Sequence, residues 1–225
     1  MPHFNINSSK PKLSDEIIGH GDFKYKVHKT WGNLDPSKTP VNNCHEMVMD
    51  SQGRLIMVGD DVHNNILIYD KSGKLLDSWG IRYKGGHGLS LWNDGEQDFL
   101  FICDTEGTMI KTTLDGRELM MIGHPSDYGA YEKEDAFKPT ETIIGPNGDI
   151  YIADGYGSQY VLQFTKDGEF IRKIGNGRVR KTTSSRPPMV SASMTGIKTT
   201  PPYWSLHAPA IVLSALLWMV IIWRK

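Results

Sequence analysis

The chain has 225 residues, 39% hydrophobic and 23% charged, with a formal net charge of −1, which fits a globular protein of one large domain or two small ones. That total hides a boundary: every acidic residue lies at or before Glu169, while seven basic residues and no acid follow Gly177. The acidic portion has no basic stripe interleaved with aromatics, which disfavours a nucleic-acid partner, and Cys44 and Cys103 form neither a paired metal-ligand spacing nor a disulfide framework.

Residues 1–19 are polar, carry no apolar signal-peptide core, and are expected to be disordered. A folded domain is expected over 20–177. Its first stretch, "FKYKVHKTWG" (23–32), reads as the outermost strand of a β unit whose three inner strands do not precede it.

Three similar segments follow, 45–80, 87–123 and 139–175, closing on Gly80, Gly123 and Gly175. Self-similarity at this period marks a repeat architecture. Each segment opens with a short apolar strand and turns at Asp50-Ser51-Gln52-Gly53, Asn93-Asp94-Gly95 or Pro146-Asn147-Gly148. A more apolar strand then ends at Asp60, Asp104 or Asp154, and a third leads to Asp70-Lys71-Ser72-Gly73, Asp115-Gly116 or Asp167-Gly168. A fourth alternates and stops at glycine. Apolar runs bounded by Asn/Asp-Gly are hairpin signals, and four strands per unit of this length make a β-propeller blade. The fold class is all-β, with Leu55–Val58, Phe99–Cys103 and Ile150–Ala153 as central strands. Cys103, inside "FLFICD", reads as a buried strand residue.

This grammar resembles NHL repeats, whose propellers usually have six blades. The closer resemblance is to bacterial NHL-repeat proteins related to the peptidyl-α-hydroxyglycine α-amidating lyase. It rests on "FKYKVHKTWGNL", "GGHGLSL", "IKTTLDGRELMMIG" and "FKPTETIIGPNGDIYIADGYGSQYVLQFTKDGEFIRKIG" and covers residues 20–175. In that family zinc sits on the propeller axis, held by histidines that open innermost strands. The resemblance therefore implies zinc, with His87 as a ligand and His45, in the same register one blade earlier, as a second; glycines beside His87 would let backbones approach closely there. It implies Tyr156, in "DGYGS", as the base, a role for which a neutral phenol needs a metal or cation beside it. It also implies calcium, bound partly by main-chain oxygens at Leu89 and Met47.

The sequence departs from the family in two places. "MVGDDVHNN" (57–65) has no arginine where the lyase carries a catalytic one, and no further histidine-bearing blade follows the third segment. Two bland readings stand beside the metal one: histidines lining a wet channel, and Tyr156 packing the top of its blade. His3, His20, His28, His63, His124 and His207 read as surface residues. Asp60-Asp61 and Glu134-Asp135 read as solvated turns.

Beyond 177 the character changes. Residues 178–205 form a basic linker rich in Ser, Thr and Pro, and Leu206–Trp223 is an apolar run of 18 residues, near the lower limit for a transmembrane helix. This tail reads either as a stalk and membrane anchor or as the product of a frameshift that truncates a longer family member. Two functions are expected. One is a zinc-dependent amidating-lyase-like enzyme that releases glyoxylate from a C-terminal hydroxyglycine. The other is a non-catalytic propeller binding a peptide or protein on one face.

Overall fold

The computed structural model describes residues 16–28 and 30–175. Among them the only helical element is a single 3₁₀ turn, Pro125–Tyr128, and everything else regular is antiparallel β-sheet. The expected linker and membrane segment, 178–223, lie outside the described residues. No helix within the described residues is long and apolar enough to cross a membrane.

β1 (Glu16–His20) and β2 (Phe23–Val27) form a hairpin. This corrects two expectations. Residues 16–19 are not part of a disordered end, and strand β2 takes its partner from them rather than from missing inner strands. The cause is local: His20 pairs with Phe23 around a two-residue Gly21-Asp22 loop, with Gly21 at φ 55°, the chemistry of a tight hairpin. The chain then runs to the first blade, where the Trp31 ring meets Tyr69 at 5.6 Å and Asn33 bridges to Lys74.

Three four-stranded sheets follow in chain order. Blade one holds β3 (Cys44–Met49), β4 (Leu55–Gly59), β5 (Ile66–Tyr69) and β6 (Leu75–Trp79). Blade two holds β7 (Gly86–Asn93), β8 (Asp98–Asp104), β9 (Thr108–Thr113) and β10 (Glu118–Ile122). Blade three holds β11 (Glu141–Ile144), β12 (Ile150–Ala153), β13 (Val161–Phe164) and β14 (Phe170–Ile174). Each is a meander in sequence order, and the expected central strands fall in β4, β8 and β12. The turns follow their sequence signals: Asp50 and Asp70 each accept two downstream backbone N–H groups, ahead of Gly53 and Gly73 at φ 76° and 86°.

The sheets pack face to face with their first strands adjacent, β7 touching both β3 and β11. The seam between blades one and two is aliphatic: Ile56, Val58, Ile66 and Ile68 against Leu89, Leu100, Ile102 and Ile110. The seam between blades two and three is built around aromatics, with Phe99, Phe101 and Phe164 buried against Ile150, Ile152 and Leu162. Tyr131 and Phe137, from the long connection into blade three, close its end. Cys103 is fully buried there, its sulfur 2.8 Å from Thr142 Oγ1, and burial pushes its thiol pKa well up.

The aspartates that end the second strands share one task. Asp60 Oδ1 accepts from Asn43 N at 2.9 Å, Asp104 Oδ1 from Gly85 N at 3.0 Å, and Asp154 Oδ1 from Lys138 N at 2.7 Å. Each carboxylate ties the lead-in of its own blade to the far end of the second strand, and so fixes where the innermost strand begins. Asp60 is therefore not a solvated turn residue, whereas Glu134 and Asp135 are exposed.

Candidate functional site

The site lies where β3, β7 and β11 begin. In β3 the pairing with β4 runs Cys44 to Gly59 and then Glu46 to Val58, which leaves His45 as the extra residue of a β-bulge. In β7 it runs Gly86 to Asp104 and then Gly88 to Cys103, leaving His87 in the same position. Bulges release one residue from the ladder and re-aim its side chain. The two imidazoles consequently leave their own sheets and stack, with centroids 4.5 Å apart and planes at 24°. β11 has no such bulge; it pairs in regular register from Glu141 opposite Ala153.

His87 is held from both ends. Its Nδ1 lies 3.0 Å from the carbonyl oxygen of Thr140, and its Nε2 lies 3.1 Å from Tyr156 Oη. A carbonyl can only accept, so in the neutral ring Nδ1 donates to Thr140 and the Tyr156 hydroxyl donates to Nε2. The phenol ring stands edge-on to the imidazole at 88° and is about half exposed. Burial lowers the His87 pKa; the Thr140 bond opposes this, His45 adds to it, and the Glu141 charge opposes it. On the other side of the stack, His45 Nε2 lies 3.9 Å from Asp60 Oδ2. The Asp60 carboxyl, despite the upward push of its burial, is held below the usual carboxylate range by its bonds from Asn43 and by His45.

Sequence reasoning missed the layer beneath the imidazoles. Glu46 Oε2 accepts from Leu89 N at 2.9 Å and shares a hydrogen bond with Glu141. Glu141 Oε1 accepts from Ser90 Oγ at 3.1 Å and from Thr142 N at 2.8 Å. Burial, the bond to Glu141 and that neighbour's charge push the Glu46 carboxyl up to about 9, against the pull of Leu89 N–H. Overlaying the three openings, His45-Glu46, His87-Gly88 and Thr140-Glu141, would have revealed the pair: two glutamates flank a glycine at equivalent positions. Leu89 and Met47, the positions implied for calcium, lie in β7 and β3 next to this carboxyl pair.

Two other described histidines, His63 and His124, have partners of their own. His63 is exposed beside Asp61, 3.0 Å away. His124 departs from the expected surface role: it caps the 3₁₀ turn, with Nδ1 2.9 Å from Ser126 Oγ and Nε2 2.8 Å from Asp135 O. No set of three His, Cys, Asp or Glu side chains is clustered for a metal ion among the described residues. The site supplies two imidazoles, one already oriented by a carbonyl on its far nitrogen, as metal-bound histidines commonly are.

No protein-family model matches the chain. Among curated proteins it is 28% identical over 136 residues to the peptidyl-glycine alpha-amidating monooxygenase A of Xenopus laevis, a match covering 58% of this chain and 14% of that protein. It is also 28% identical over 122 residues to the peptidyl-alpha-hydroxyglycine alpha-amidating lyase 2 of Drosophila melanogaster, covering 53% of this chain and 30% of the other. The matches thus span less than a third of either relative. Among solved structures, a streptogramin B lyase aligns at TM-score 0.46 with 16% identity, over 59% of this chain and 40% of that one. A gluconolactonase from Xanthomonas campestris aligns at 0.43 with 12% identity, over 60% and 49%. The chain is thus similar, over rather more than half of its length, to part of two amidating proteins.

Proposed function

We propose that the described residues are three consecutive blades of an amidating-lyase-like propeller, usually six-bladed, and that the seam where β3, β7 and β11 begin is part of its active centre. One observation carries the reading. His87 and Tyr156, which the resemblance assigns to metal and base, come from different blades and are hydrogen-bonded to each other. His45 and His87 would hold a zinc ion, two of the three protein ligands that a catalytic zinc site uses. Bound there, zinc would polarise the hydroxyl of a C-terminal α-hydroxyglycine.

The chain's own residues set the rest. Thr140 orients His87, and Tyr156 Oη is the group placed to hold or move a proton beside it. Nε2 has a single lone pair, so Tyr156 keeps its bond to His87 only while nothing else claims that atom. In the reaction the hydroxyl proton is removed, its oxygen becomes the aldehyde of glyoxylate, and the C–N electron pair leaves with the nitrogen, which is reprotonated as the peptide amide.

A second reading is a non-catalytic propeller that binds a peptide or protein on one face. Two observations favour it: Met57–Asn65 contains no arginine, and the described residues offer no three-ligand cluster. Glyoxylate release from a peptide ending in α-hydroxyglycine, with zinc supplied, separates the two. Release that is abolished in Tyr156→Phe supports the lyase; no release from the parent chain leaves the binding module.

A further inference from the structure

His87 stands between two glycines, and each faces a different neighbour. A Cβ built on Gly86 would lie 2.7 Å from the carbonyl oxygen of Gly59 in blade one. A Cβ on Gly88 would lie 2.4 Å from the carbonyl oxygen of Thr140 and 2.9 Å from Glu141 Cα in blade three. The obstructions are backbone, so β7 is wedged where a side chain has no room on either flank. On the Gly88 side the carbonyl that a methyl group would strike is the same oxygen that accepts from His87 Nδ1. Thr140 cannot simply swing away, because its N–H is committed to Ala153 O at 2.9 Å.

The geometry points to Gly88 as a positioning residue for His87: by letting β7 close on β11, it brings the Thr140 carbonyl to Nδ1, fixes the Nδ1–H tautomer, and turns the Nε2 lone pair toward Tyr156. The tautomer decides what the site can do. With the proton on Nδ1, Nε2 can take a phenol proton or bind a cation; with the proton on Nε2 it can do neither. Tyr156 does not set this state, because a hydroxyl donates or accepts as its partner requires. The inference holds for the metal-free chain and does not depend on the proposed lyase activity.

The test is a long-range proton–nitrogen correlation spectrum of the histidine rings in the full chain. It is recorded with chelator present at about pH 8, where imidazole is neutral, and His87 is assigned by the signals lost in His87→Ala. The expected result is a protonated Nδ1 and an unprotonated Nε2 at His87, unchanged in Tyr156→Phe. In Gly88→Ala the tautomer ratio should move toward Nε2–H by roughly tenfold, as loss of one hydrogen bond allows. A parent His87 protonated at Nε2, a tautomer that switches in Tyr156→Phe, or a folded Gly88→Ala chain with an unchanged ratio would each overturn the assignment. If Gly88→Ala does not fold, the parent and Tyr156→Phe spectra still decide it.

Discussion

Blades one and two begin their innermost strands on a bulged histidine, whereas blade three begins on Thr140-Glu141 in unbroken register. The difference separates two uses of one position. A bulge frees a side chain to leave its sheet, so His45 and His87 can meet across a seam. A regular opening keeps its side chain in the pleat but presents a backbone carbonyl, and Thr140 uses that carbonyl to orient the histidine next door. The site needs both kinds of opening, and blade two is the member that touches each.

If the seams hold these openings in place, breaking one should have the largest effect. Phe101 is 2% exposed between blades two and three. Phe101→Ala should lower unfolding free energy by about 3–5 kcal/mol in chemical denaturation. Leu119→Ala, at a site 43% exposed on the outer strand of the same blade, should change it by no more than about 0.5 kcal/mol.

A milder break acts at the opening itself. Gly88→Ala forces β7 and β11 apart and should cost about 1–3 kcal/mol. Gly123→Ala, where an added Cβ meets nothing within 4 Å, should be nearly neutral in the same denaturation assay.

The effect that is smallest per unit of pH should sharpen the layer below the histidines. Glu46 ionises near 4.5 in the unfolded chain and at about 9 in the folded one. Between those values the folded state holds the extra proton, so this group's contribution to stability falls as pH rises from 4.5 toward 9, by at most about 1.4 kcal/mol per pH unit. Glu46→Gln keeps the acceptor for Leu89 N–H and a donor toward Glu141 but cannot ionise. It should flatten the decline of unfolding free energy over that range; an unchanged slope would mean that Glu46 is not the group responsible.

Much of this was legible in the sequence. The Asp-x-x-Gly turns, the apolar second strands and the closing glycines give the sheets and their order, and the in-register His45 and His87 gave two members of the site. The bulges were not legible, because a bulge is a mismatch between two strands: His87 is an extra residue only in relation to Asp104 and Cys103, which sit on the partner. The Glu46–Glu141 pair was hidden for a similar reason. Each acid alone looks like a solvated blade opening, and the two come together only because β3 and β11 both pack against β7. In the β1–β2 hairpin only β2 was legible: Phe23–Val27 alternates, whereas β1, Glu16–His20, sets two isoleucines side by side next to a glycine and shows no such alternation.

The central claim is that the two bulged histidines form one centre rather than two channel-lining side chains. Equilibrium zinc binding to the purified full chain tests it most directly, comparing the parent with His45→Ala, His87→Ala and His63→Ala. The account predicts that the parent binds zinc, that His45→Ala and His87→Ala each weaken binding by more than about tenfold, and that His63→Ala leaves it unchanged. No zinc uptake by the parent, or equal affinity in all three variants, would contradict it.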